Sequence, residues 1–218
     1  MKNKTKILII LGILVFLLGG IGLYYLQNRE NRENEIIEVC EISSEITRVV
    51  VEKQLEHQKV SLMEKEFRNG IIAPESPIVF RDLNGRCICH CYKVIDANDN
   101  HYLGYIVISA IRSLPPFLAS SASKIPTDNL ERCRIIARKK IGAAPTSYSL
   151  LYLEDPVINF FVRFRFADGR TLIMSLSPIG IFSEEEAIRR QKVLDNRITK
   201  GKSESEAQWE SFLRNLKK

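Results

Sequence analysis

The sequence predicts an α+β protein: an N-terminal transmembrane helix, then two units of a helix followed by an antiparallel meander, closed by C-terminal helices. Three observations carry this reading. Ile7 to Leu26 runs for twenty residues without a charge, and a helix of that length spans about 30 Å, the thickness of a bilayer's hydrocarbon core. Between residues 78 and 176, short apolar segments are separated by Asn-Gly, Asp-Gly and proline turns, the pattern of hairpin-linked strands. Apolar stripes at spacings of three and four precede each strand block and close the chain, several of them opened by capping residues.

The anchor comes first in the chain. Lys2, Lys4 and Lys6 precede it, whereas Arg29 and Arg32 beyond it are offset by Glu30 and Glu33. That lysine excess places residues 1–6 in the cytoplasm, 7–26 in the bilayer of the cell membrane as a single pass, and the rest outside. Tyr24 and Tyr25 sit where an interfacial aromatic belt would lie. A cleaved signal peptide is the competing reading, but the apolar run exceeds a usual signal core and no A-x-A site follows. Residues 27–35, QNRENRENE, form a polar spacer. Of the net charge of +6, half belongs to residues 1–30. The mixed-sign remainder has no nucleic-acid footprint, and its apolar content excludes a disordered tail.

The first helix-plus-sheet unit covers residues 36–126. Val39, Ile42, Ile46 and Val49 predict an amphipathic helix from Ile36 to Val60, extended through Leu62 and Met63 until Asn69-Gly70. Ile78 to Phe80 is a strand, Asn84-Gly85 a hairpin turn, and Arg86 to Ile95 the return. His101 to Ala110 is apolar on both faces and therefore central. Pro115-Pro116 then restricts Phe117 to Ser121 to an edge strand or an extended strap.

The second unit, residues 127–182, repeats that order. Asp128 and Glu131 form a capping box, Leu130, Cys133, Ile136, Ala137 and Ile141 an apolar stripe, and Gly142 the helix stop. Tyr148 to Leu153 is a strand and Asp155-Pro156 a turn. Val157 to Phe166 alternates, with Ile158, Phe160, Val162, Phe164 and Phe166 on one face. Asp168-Gly169 turns the chain into Arg170 to Leu176. Residues 183–218 predict two polar helices, capped by Ser183 and Ser203 and broken at Thr199 to Lys202. Trp209, Phe212, Leu213 and Leu216 make a stripe too short to be stable alone, so it must dock. The predicted core includes Ile46, Val49, Cys89, Ile106, Ile108, Cys133, Phe160, Val162 and Phe164.

Five cysteines, Cys40, Cys87, Cys89, Cys91 and Cys133, are an odd number for an exported domain. Cys87-Ile88-Cys89-His90-Cys91 invites a metal or thiol reading. On a regular strand, however, alternate residues lie about 6.6 Å apart, while two sulfurs on one zinc lie within about 4.6 Å. Regular pleating also sends His90 away from the cysteines unless a sharp bulge intervenes. The expectation is therefore buried free thiols acting as small apolar side chains, with a thiol or metal protein built on Cys87 to Cys91 as the alternative. Phosphate-binding glycine loops, H-E-x-x-H, paired C-x-x-C and nucleophile elbows are all missing. The chain is thus expected not to be an enzyme: no catalytic, cofactor-binding or metal-ligating residue is assigned, and no small-molecule substrate or nucleic-acid partner is evident.

Leu103 to Ala110, LGYIVISA, followed by Pro115 to Ser121, PPFLASS, resembles a strand pattern in the propeptides of streptopain-type secreted cysteine peptidases. The Asp82-Leu83-Asn84-Gly85 hairpin is similar too, as are Ala137 to Gly142 and Leu151 to Leu153. The resemblance covers about residues 36 to 177. It implies a cystatin-like or PepSY-like fold and a role in holding a peptidase inactive. No peptidase domain follows in the 218 residues, so the expectation is action in trans, as a tethered inhibitor or regulator of a secreted or membrane peptidase. The candidate partner-binding residues are Pro115, Pro116, Phe117 and Leu118, in an extended strap that loses little entropy on docking. The alternative use of the same residues is punctuation, with the prolines ending a strand and Phe117 packing inside.

Overall fold

Ser43 opens the first described helix, its hydroxyl accepting from the Ile46 amide, and the helix α1 runs Ser44–Lys59. This computed structural model describes residues 40–60, 65–154 and 159–216. The expected anchor 7–26, the spacer 27–35, residues 36–39, Leu62 with Met63, and the Asp155-Pro156 turn lie outside the described residues. No helix among the described residues is long and apolar enough to cross a membrane.

Among the described residues, nine strands follow α1 in one mixed sheet: β1 Gly70–Ile72, β2 Ile78–Arg81, β3 Cys87–Asp96, β4 Tyr102–Ser109, β5 Phe117–Ser121, β6 Ser147–Glu154, β7 Asn159–Arg165, β8 Thr171–Leu176 and β9 Ile179–Phe182. Helix α2, Leu130–Ile141, lies between β5 and β6, and α3, Glu184–Leu216, ends the fold. The strand order is β5-β4-β3-β2-β6-β7-β8-β9, with β1 also paired to β3. The two expected meanders are present but are not separate, since β2 and β6 pair in parallel at Arg81 and Leu151. Every other pairing is antiparallel. That single parallel contact corrects the purely antiparallel expectation: each meander would otherwise expose an edge at β2 and β6, and joining those edges satisfies both.

The turns form for the reasons the sequence suggests. Gly85 and Gly169 take the left-handed conformation at φ of 86° and 84°, which glycine adopts without a Cβ clash. Asp82 is buried and tightens its hairpin, accepting from the Asn84 and Arg86 amides at 2.9 and 2.8 Å and from the Arg86 guanidinium at 3.1 Å. The strand β4 is interior, as its apolar faces require, and β5 is terminal.

Helices cover both faces of the sheet. Cys89, Cys91, Val107, Phe160, Val162 and Phe164 pack with Cys133 and Ala137 of α2. Tyr92, Val94, Ile106 and Ile108 point the other way, onto Val50, Val51 and Leu55 of α1 and Trp209 of α3. Further along, Leu151, Phe161 and Ile173 meet Ala187 of α3.

Four expectations are corrected. Ile46 and Val49 are 38 % and 40 % exposed instead of buried. The inward face of α1 is Thr47, Val50, Val51, Leu55 and Gln58, because the Thr47 hydroxyl has buried polar partners to meet. The first helix stops at Lys59, and a 3-10 turn, Lys65–Phe67, then leads into β1. Asp128 does not cap α2: a 3-10 turn begun by Pro126 runs straight into it, and Asn129 donates its side-chain amide to the Leu176 carbonyl at 2.8 Å. Finally, α3 is one helix of 33 residues with no break at Thr199 to Lys202. A mid-helix glycine costs only about 1 kcal/mol, and Leu194 and Trp209, fully buried on either side of Gly201, hold the helix against the sheet.

Candidate functional site

Two places in the fold concentrate features with functional potential. The first is the strap at the sheet edge. Pro115 and Pro116 lead into β5, and the Pro116 carbonyl accepts from the Ser109 amide at 3.0 Å. Just before them, the Leu114 carbonyl accepts from Trp209 Nε1 at 3.0 Å, so α3 buttresses the strap from behind. Phe117 leans on the core beneath α1 and α3, and Leu118 leans on the opposite core. All four residues are half-buried. The apolar side chains thus also hold β5 in place. Among the described residues, β4 is the only strand that pairs with β5.

The second place is built from Cys40, Cys87, His90 and Thr47. Cys40 and Cys87 form a disulfide, with Cα atoms 5.2 Å apart. This corrects the expectation of five free thiols. Cys89, Cys91 and Cys133 remain buried in the core outside that bond, and burial pushes the Cys91 and Cys133 thiols up, away from thiolate chemistry.

A β-bulge explains how Cys87 reaches His90. The β2–β3 register pairs Phe80 with Cys89 but Arg81 with Cys87, so Ile88 is the extra residue and the alternation slips there. Cys87 Sγ consequently lies 3.7 Å from His90 Nε2, while Cys89 and Cys91 keep to the far face. Cys40 Sγ approaches the same nitrogen at 3.4 Å. The expectation that His90 points away from every cysteine of the strand fails for Cys87 alone.

The other ring nitrogen is held from α1. His90 Nδ1 lies 2.7 Å from Thr47 Oγ1, whose own proton goes to the Ser43 or Ser44 carbonyl, each at 3.2 Å. This contact fixes the ring with Nε2 directed toward the two sulfurs. Tyr92 fixes the threonine from the side: its hydroxyl lies 2.8 Å from Oγ1 and donates to the Ser44 carbonyl at 2.8 Å. Burial, and secondarily Arg81, lowers His90 to about 4 against an opposing pull from Glu45, so the ring is neutral at pH 7.

Sequence reasoning singled out Cys87 and His90 but not Cys40 or Thr47. Cys40 lies 47 residues from its partner, and nothing local pairs them; the usable signal was the general one that exported domains oxidise their cysteines. A third cluster, Asp96, Asp99 and His101, sits on the β3–β4 turn with two of its members exposed, where His101 Nδ1 meets Asp99 Oδ1 at 2.5 Å. No protein-family model, curated protein or solved structure matches this chain.

Proposed function

We propose that this protein is a membrane-anchored, extracytoplasmic binding module of the peptidase-propeptide kind, acting in trans as a tethered inhibitor or regulator of a secreted or membrane peptidase. The supporting observation is the position of β5. It ends the sheet, is preceded by two prolines, and is braced from both cores through Phe117 and Leu118. A rigid edge of this kind can pair with an extended segment at a peptidase's substrate cleft, where main-chain bonds give affinity and neighbouring side chains give selectivity. The two prolines fix φ and remove two donors just upstream, which disfavours cleavage of the strap itself. The Cys40–Cys87 disulfide accords with the expected extracytoplasmic setting.

The test is capture in the protein's own membrane. A photoreactive residue at Ser121, on β5, is expected to crosslink a peptidase in intact cells. The same residue at Tyr148, exposed on β6, is expected not to. Capture of envelope-assembly proteins alone, or equal capture from both positions, would contradict the reading.

A further inference from the structure

Apart from the edge strand, the molecule holds a preformed set of soft ligands. Nε2 of His90 and the two sulfurs of Cys40 and Cys87 all lie within 4.8 Å of one another. Tetrahedral zinc, with Zn–S of about 2.3 Å and Zn–N of about 2.05 Å, requires S···N edges of about 3.6 Å and an S···S edge of about 3.8 Å. The two S···N distances, 3.4 and 3.7 Å, already match. Only the sulfur–sulfur separation must open, from a bond to about 3.8 Å. Cys40 belongs to no helix or strand and is half-buried, so its side chain can turn without breaking a backbone ladder.

We propose that Cys40, Cys87 and His90 form a redox-controlled zinc site, closed to metal while the disulfide is intact and able to bind one Zn²⁺ once it is reduced. A dithiol supplies the two electrons: it is oxidised to its own disulfide, the Cys40–Cys87 bond breaks, and each sulfur takes up a proton. Zinc binding then displaces those two protons to solvent, leaving two thiolates and the neutral His90 as ligands, with water completing the tetrahedron. Oxidation of the two thiolates to the disulfide, by a disulfide oxidant that takes the electrons, releases the metal. Thr47 is the positioning residue. Its hydroxyl lies 2.7 Å from Nδ1, and with zinc on Nε2 it would accept the Nδ1 proton, as the outer partners of zinc-bound histidines do.

This proposal uses neither β5 nor the peptidase reading, and either can fail without the other. The experiment takes the full chain in detergent, reduced with dithiothreitol, freed of it under anaerobic conditions, and titrated with ZnCl₂ against a chromophoric chelator. Reduced protein is expected to hold one equivalent of zinc and oxidised protein none. Cys40→Ser and His90→Ala are expected to abolish binding, while His101→Ala, at the other cluster, keeps it. Thr47→Val is expected to weaken affinity by about 10- to 100-fold, with folding checked by circular dichroism and by the fluorescence of Trp209. With Co²⁺ in place of Zn²⁺, the reduced chain is expected to show sulfur-to-cobalt charge-transfer bands that Cys40→Ser loses. Should His90→Ala fail to fold, the Cys40→Ser and cobalt results decide alone. Reduced wild-type protein that binds no zinc, oxidised protein that binds it equally, or binding that survives Cys40→Ser would overturn the site.

Discussion

Replacing Trp209 with Ala is expected to destabilise the fold by about 3–5 kcal/mol, the range for removing a fully buried large aromatic. Trp209 is completely buried beside Ile106, Ile108 and α1, and its indole N–H satisfies the Leu114 carbonyl. The substitution leaves both a cavity and an orphaned acceptor. Little else holds the last turns of α3: Phe212 and Leu213 pack only partly, and Lys53 reaches the Asn215 carbonyl from the surface at 3.3 Å. Urea unfolding followed by circular dichroism measures the loss. Hydrogen exchange should show amides after residue 203 losing protection before those of α2. Trp209→Phe, which keeps most of the volume, should cost less. A loss below about 1 kcal/mol, within the scatter of surface substitutions, would mean that α3 is not docked there.

The second large effect is expected from the disulfide. Closing a loop across 47 residues restricts the unfolded chain by about 4 kcal/mol in the chain-entropy account. For a folded part of this size, that corresponds to a fall in melting temperature on the order of 10 °C. Cys40→Ser/Cys87→Ser, or reduction in the presence of a chelator, should both produce it. Alkylation under native conditions should leave Cys89, Cys91 and Cys133 unlabelled, since all three are buried. If the reduced and oxidised proteins melt together in the presence of chelator, Cys40 is not tied to β3.

Much of the fold was legible because it rests on local signals. Asn84-Gly85 and Asp168-Gly169 state their turns in two residues. The alternation from Phe160 to Phe166 allows one strand register only, since a slip by one residue would move four aromatic or branched side chains into water. The two-sided apolar character of β4 and the prolines before β5 ordered that half of the sheet correctly. The failures share a different cause. Ile46 and Val49 offer a helical stripe as good as Val50, Val51 and Leu55, and the choice between them falls to Thr47, a polar residue that faces inward to reach His90 and Tyr92. The parallel β2–β6 contact joins residues 81 and 151, and the disulfide joins 40 and 87; neither is written in a window of sequence. The bulge at Ile88 is a single-residue slip, yet it alone turns Cys87 toward His90. The candidate strap was legible as an edge, but the inward lean of Phe117 was not, because it packs in a core completed by Trp209 far along the chain.

If this chain binds and restrains a peptidase as proposed, inhibition measures that directly. The peptidase captured from Ser121 is assayed on a peptide substrate while full-length protein in detergent is added. Saturable loss of activity at one chain per enzyme is expected, with the inhibitor recovered uncut. Relief of inhibition is also expected when Ser121→Lys/Ser123→Lys places positive charge at the end of β5, with folding checked by circular dichroism, since lysines on an edge oppose strand addition. Full peptidase activity at saturating protein, or steady cleavage of the chain as an ordinary substrate, would contradict it.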